Sequence, residues 1–157
     1  MKQYRVTKYN PEYRNTDGTY NRSEWTSYGD VGDIVSKEEY EKVENAYIES
    51  ALSFLEEQNI SKITISYLEN QQKYNEPGVV LKTGTELNTN QIKAVLKSIL
   101  REKYWAKLEN DNSFIHLGWD YYMYIGVANE PKKAKEYAES KGLYVEAFYS
   151  PYNENEL

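Results

Sequence analysis

Hydrophobic positions recur along this chain with two different periods, and the changes of period mark out its elements. Residues 3–9 place Tyr4, Val6 and Tyr9 in a β-prone stretch that stops at Asn10-Pro11, which predicts a first strand. Asp17-Gly18 is a turn signal in a polar stretch that runs to Ser23. The segment from Glu24 to Gly32 mixes aromatics, hydroxyls, glycines and an acid without a period, and reads as an ordered loop. Beyond it, Tyr40, Val43, Tyr47, Ala51 and Leu55 repeat at three- and four-residue intervals, widened by Ile48, Leu52 and Phe54. That spacing predicts an amphipathic helix. Ser36 is placed to cap it, Glu39 three residues on completes a capping box, and Asn59 is placed to end it. Ile63, Ile65 and Tyr67 then alternate with Thr64 and Ser66, predicting a half-buried strand over 61–68.

Val79-Val80-Leu81, between Pro77-Gly78 and Gly84, is read as a short strand. A second helix is predicted from Thr89 or Asn90, with Ile92, Val95, Leu96, Ile99 and Leu100 as its buried stripe. A hairpin is predicted from Tyr104–Glu109, the turn Asn110-Asp111-Asn112 and Ser113–Leu117. Gly118 to Asp120 turns again, and Tyr121–Val127 is another strand. Asn129-Glu130-Pro131 opens a third helix, with Ala134, Tyr137 and Ala138 facing inward and Lys141-Gly142 as its stop. Leu143–Tyr149 is the last strand, halted by Pro151. The order β-α-β(β)-α-β-β-β-α-β lacks a regular βαβ rhythm. It predicts an α+β fold, a mainly antiparallel sheet with about three helices packed on it. The expected organisation is a single domain over residues 1–152 and a loose acidic tail over 153–157.

Composition sharpens this picture more by exclusion than by assignment. The chain has 17 tyrosines and three tryptophans among 157 residues, but one histidine and no cysteine. It is rich in side chains that pack and recognise, and poor in those that carry common catalysis. Absence of cysteine removes disulfides, thiolate zinc sites and thiol nucleophiles. Met1 leads into Lys2-Gln3-Tyr4-Arg5 with no apolar region of the kind a secretory signal needs, and no apolar run approaches the ~20 residues of a membrane helix. A cytoplasmic protein is the expectation. The net charge is −6, although residues 1–28 carry a net +2. This balance argues against nucleic acid and for a basic protein partner, whose approach an acidic field accelerates.

Candidate chemistry is sparse. His116 stands alone in Phe114-Ile115-His116-Leu117, and on a strand it points opposite Ile115 and Leu117. No second histidine gives it metal-ligand spacing, so no metal and no cofactor is expected. A hydrogen-bonded strand histidine and a catalytic base both remain open readings of it. The glycines lack a phosphate-cradling frame. Asp30, Asp33 and Asp120 beside Trp25 and Trp119 leave room for a carboxylate-based hydrolase or a carbohydrate-binding domain, since glycoside hydrolysis needs only two carboxylates. The sharpest local motif is Asp120-Tyr121-Tyr122-Met123-Tyr124-Ile125-Gly126. Tyr121, Met123 and Ile125 should face the core. Asp120, Tyr122 and Tyr124 should face the other way, either as a solvent-facing ladder suited to a protein partner or as rings covered by further structure. Trp25 and Tyr28, with Asp30, pose the same choice between a recognition loop and core closure.

Three stretches, Tyr4-Arg5-Val6-Thr7-Lys8-Tyr9-Asn10-Pro11, the Glu24–Gly32 loop and Asp120–Gly126, resemble a group of small uncharacterised bacterial proteins. A single acidic domain of this size is similar in class to the immunity proteins that protect bacteria from polymorphic or contact-dependent toxins. The resemblance implies a non-enzymatic cytoplasmic protein that covers a cognate toxin domain, a basic nuclease above all. It carries over no catalytic residues. The expected contacts, chosen from the residues themselves, are Trp25, Tyr28, Asp30, Asp120, Tyr122 and Tyr124.

Overall fold

Both periods are realised in the computed structural model, which describes residues 1–153. The strands are β1 (Lys2–Thr7), β2 (Ile63–Glu69), β3 (Glu86–Leu87), β4 (Trp105–Asn110), β5 (Ser113–Leu117), β6 (Tyr122–Val127) and β7 (Tyr144–Ala147). The helices are α1 (Lys37–Glu57), α2 (Thr89–Leu100) and α3 (Lys132–Ser140). The fold is α+β: one sheet in the order β3-β2-β4-β5-β6-β1-β7, every neighbouring pair antiparallel, with the three helices packed on one face.

Local chemistry sets the helix ends. The Ser36 hydroxyl accepts the Glu39 N–H at 3.1 Å and starts α1. Asn59, at φ 59°, takes the left-handed conformation that stops it. Asn88 and Gln91 form the full capping box of α2, a stronger start signal than the Thr89-Asn90 that predicted it. Gly142, at φ +88°, ends α3. The α3 start has no side-chain cap of its own. Glu57 of α1 supplies one instead, accepting the N–H groups of Lys133 (3.2 Å) and Ala134 (2.8 Å).

Antiparallel register aligns side chains into rungs that cross the sheet. Ile65, Leu108, Ile115, Ile125 and Tyr4 form one rung on the helix-bearing face, all buried. Burial of each aliphatic side chain there contributes about 1.5–3 kcal/mol. Two basic groups of the second helical segment are held by acids of α1. Arg101 forks onto the buried Glu44 at 2.8 and 3.0 Å, and Lys93 pairs with Glu49.

Three expectations fail. Tyr67, expected to share the buried face of Ile63 and Ile65, is carried to the other face by the register shift between Ile65 and Tyr67 and is exposed. Val79-Val80-Leu81 is not a strand: the turn that brings the Val79 N–H to Glu76 O bends it away. The Thr85 carbonyl accepts the Ile65 N–H, and Glu86–Leu87 pairs with β2 in its place. The last strand stops at Ala147, before Pro151, and the chain then turns back across the sheet. The tail expected from Asn153 lies outside the described residues from 154 onward, while the Asn153 amide donates to Gln3 Oε1 at 2.9 Å. Among the described residues, no helix is long and apolar enough to cross a membrane.

Candidate functional site

The face of the sheet turned away from the helices carries the unusual chemistry. One rung there runs Tyr67, Lys107, His116, Tyr124, Arg5, Glu146, each opposite the next on six successive strands. A strap of residues 148–153 lies across it. The Ser150 N–H and the Asn153 amide both donate to Gln3 Oε1. Phe148 stacks against the Arg5 guanidinium at 3.8 Å and packs on Tyr124. Lys107 Nζ donates to the Tyr152 carbonyl at 3.0 Å.

Ser150, His116 and Glu109 form a continuous hydrogen-bonded line at the centre of this face. The Ser150 Oγ is 2.7 Å from His116 Nδ1, and His116 Nε2 is 2.6 Å from Glu109 Oε2. Burial pushes the imidazole down to about 4, against the upward pull of the Glu109 hydrogen bond and charge. The ring is therefore neutral at pH 7. Burial also raises Glu109, but hydrogen bonds from His116 and Ser66 outweigh it and hold the carboxyl below its ordinary range. An ionised Glu109 cannot donate, so Nε2 carries the proton and Nδ1 accepts from the Ser150 hydroxyl. This is the polarity of a nucleophile–base–carboxylate relay. The hydroxyl, however, is enclosed, with Ser150 6% exposed, and its oxygen also accepts the Tyr152 N–H at 3.1 Å. In this conformation the relay clasps the strap to the sheet.

Ring contacts extend from the clasp in both directions. Tyr67 meets Trp105, Trp105 meets Tyr152, Tyr152 meets Tyr124, and Tyr124 meets Phe148, with centroids 5.2–6.0 Å apart. The ends of the row reach solvent: Tyr67 is 42% exposed and Phe148 41%, with Tyr149 beside it at 77%. At the other end of the face, Glu146 is neutralised by Arg5 (3.2 Å) and Arg14 (2.9 Å), which also lie over Tyr122.

The six residues expected as contacts do not form one surface. Tyr124 is buried under Phe148 and Tyr152, and burial pushes its hydroxyl up to about 12, so the solvent-facing tyrosine ladder is not present. Tyr122 is half-buried against Tyr9. Asp120 is exposed, with Oδ1 accepting the Tyr122 N–H. Trp25 is buried against Tyr40 and Tyr121, and Tyr28 packs on Tyr40. They close the core at the start of α1. The Asp30 carboxylate accepts the Thr26 and Ser27 N–H groups and shapes its own loop. Asp30 and Asp120 thus act in local turns.

Sequence reasoning missed Glu109 and Ser150. Glu109 was within reach of the hairpin register: with Asp111-Asn112 as a two-residue turn, Glu109 opposes Phe114 and falls diagonal to His116. Ser150 carries no periodic signal, since it lies beyond the last strand. No family model matches this chain, and no curated protein or solved structure matches it either.

Proposed function

We propose that this chain is an immunity-type binding protein that neutralises a basic toxin domain, of nuclease class, by seating it on the helix-free face of the sheet. The observation that carries the reading is the aromatic row from Tyr67 to Phe148, covered in its middle and exposed at its ends. Tyr and Trp are the side chains that anchor protein interfaces, because they bury a large area at low entropic cost while keeping a polar handle. The net charge of −6 suits a basic partner and speeds its association. The proposed contact set is therefore Tyr67, Trp105, Phe148 and Tyr149, with Tyr122 and Asp120 at its rim.

The test starts beside the gene. A coding sequence for a secreted toxin is expected there, and its C-terminal domain should arrest growth when expressed alone. Co-expression of this chain should restore growth, and the purified pair should associate more slowly as salt is raised. A neighbouring toxin domain that still arrests growth in the presence of this chain overturns the reading.

A further inference from the structure

The described residues include two buried carboxylates, Glu44 and Glu76, 2% and 7% exposed. The chain treats them differently. Glu44 receives the Arg101 guanidinium. Glu76 receives only neutral hydroxyls, from Ser98 (2.6 Å) and Tyr104 (2.7 Å), and both donate to Oε1. Burial, and then this hydrogen bond, push the Tyr104 hydroxyl above its ordinary value, so it stays a donor. Oε2 has neither a hydrogen bond nor a cationic partner among the described residues. It is not enclosed, for the enclosed unpartnered atoms there are Arg14 Nε, Ser50 Oγ and Ser113 Oγ. A carboxylate this deeply buried ordinarily has a partner of opposite charge.

Glu76 lines a groove whose walls are Leu68, Tyr74, Val79, Val80 and Leu81. These walls are fixed from both ends. The Asn70 side chain bonds the N–H and the carbonyl of Tyr74, at 2.9 Å each, and the Tyr74 ring packs on Tyr104. Gln91 of α2 donates to the Gly78 carbonyl at 3.0 Å, in a turn that Gly78 makes at φ +77°. Val79-Val80-Leu81 joins no strand and leaves Val80 66% exposed at the groove. Apolar walls around one recessed polar group are the composition of a small-molecule site. The carboxylate asks for a cation, and the recess asks for a slender apolar one. A primary ammonium on an unbranched alkyl chain meets both demands. Lys73 also lines the groove, but it is exposed and pairs with no carboxylate among the described residues. Water and salt screen its charge far more than that of the buried Glu76.

We infer that this groove is a binding site for a small aliphatic amine, with Glu76 Oε2 accepting from the ammonium and Leu68, Val79, Val80 and Leu81 packing on the alkyl chain. The site shares no residue with the aromatic row and does not depend on the partner proposed above.

Pentylammonium chloride is titrated at pH 7 into the isotope-labelled chain and followed by backbone amide NMR, with pentanol and Nα-acetyl-lysine-amide as comparisons. The ammonium should give saturable shifts centred on residues 68–81. Pentanol has the same chain without the charge and should bind at least about ten-fold more weakly, because hydrogen bonds to charged groups are the stronger ones. The lysine derivative, which carries the same ammonium on a bulky body, should also bind more weakly. Glu76→Gln should abolish the response. Val80→Ser, on an exposed residue, should weaken it several-fold with the fold untouched, so the test stands even where E76Q fails to fold. Absence of a saturable response, an equal response to pentanol, a stronger response to the lysine derivative, or a response unchanged in a folded E76Q or in V80S overturns the inference.

Discussion

Glu109 and His116 sit diagonally across the β4–β5 hairpin, and the carboxylate accepts the imidazole N–H over 2.6 Å. That one contact sets the tautomer of the ring, and the tautomer decides that Nδ1 takes its hydrogen bond from Ser150. Ser150→Ala removes the donor and leaves a buried nitrogen unpaired, at a cost of about 1–3 kcal/mol. Urea denaturation should show the loss, together with faster proteolysis of residues 148–153. An unchanged urea midpoint would show that the strap is held without this bond.

Acid should weaken the fold before the carboxylates as a class are protonated. Unfolded, His116 takes up a proton near pH 6.5; folded, burial delays that uptake to about pH 4. The unfolded state binds more protons between those values, so stability is full above pH 6.5 and falls as pH drops to 4. The shift corresponds to roughly 3 kcal/mol. Glu109, held below its ordinary range, adds a loss of the same sign at lower pH. Urea midpoints measured from pH 7 to 4 should slope downward, and His116→Gln should flatten the slope.

Arg101 should matter far more to stability than its half-exposed position suggests. Its partner Glu44 is 2% exposed and, among the described residues, otherwise accepts a hydrogen bond from the Tyr40 hydroxyl at 2.8 Å. Arg101→Ala strands that buried charge, which costs about 3–5 kcal/mol. Thermal unfolding of R101A against E44Q/R101M separates the two effects, since the double variant removes both charges and should recover much of the loss.

Tyr67→Ala should separate binding from folding. The ring is 42% exposed and touches Trp105 at one edge of the aromatic row. We expect a stability change below about 1 kcal/mol. The partner's Kd should rise about 30-fold, corresponding to the roughly 2 kcal/mol of an anchor residue. Calorimetry on the complex and urea unfolding of the free chain give both numbers, and a Kd equal to wild type would move the interface elsewhere.

Most of the fold was legible because its elements have periods. Alternation around Ile63 and Ile65, the three-four spacing from Tyr40 to Leu55 and the Ser36 cap all act locally, and each led to the observed element. Val79-Val80-Leu81 misled because β-propensity cannot show that an adjacent turn carries a segment away from the sheet. The orientation of His116 opposite Ile115 and Leu117 was legible from alternation alone. Its environment was not: the strap that buries it is aperiodic, and Ser150 reaches it from 34 positions away. Tyr124 shows the same limit, for alternation names the face a ring occupies and not what covers that face.

The place of β1 bears on how the chain is made. Lys2 pairs with Val127 on one side, and Tyr4 pairs with Ala147 on the other. As the chain is synthesised, β1 therefore waits with both edges bare until β6 and β7 have followed. Its partners cannot be replaced by near neighbours in sequence, so closure is slow compared with that of the β4–β5–β6 meander. In the cell its two unpaired backbone edges, with the Tyr4 and Val6 side chains still uncovered, are a surface that a chaperone would meet.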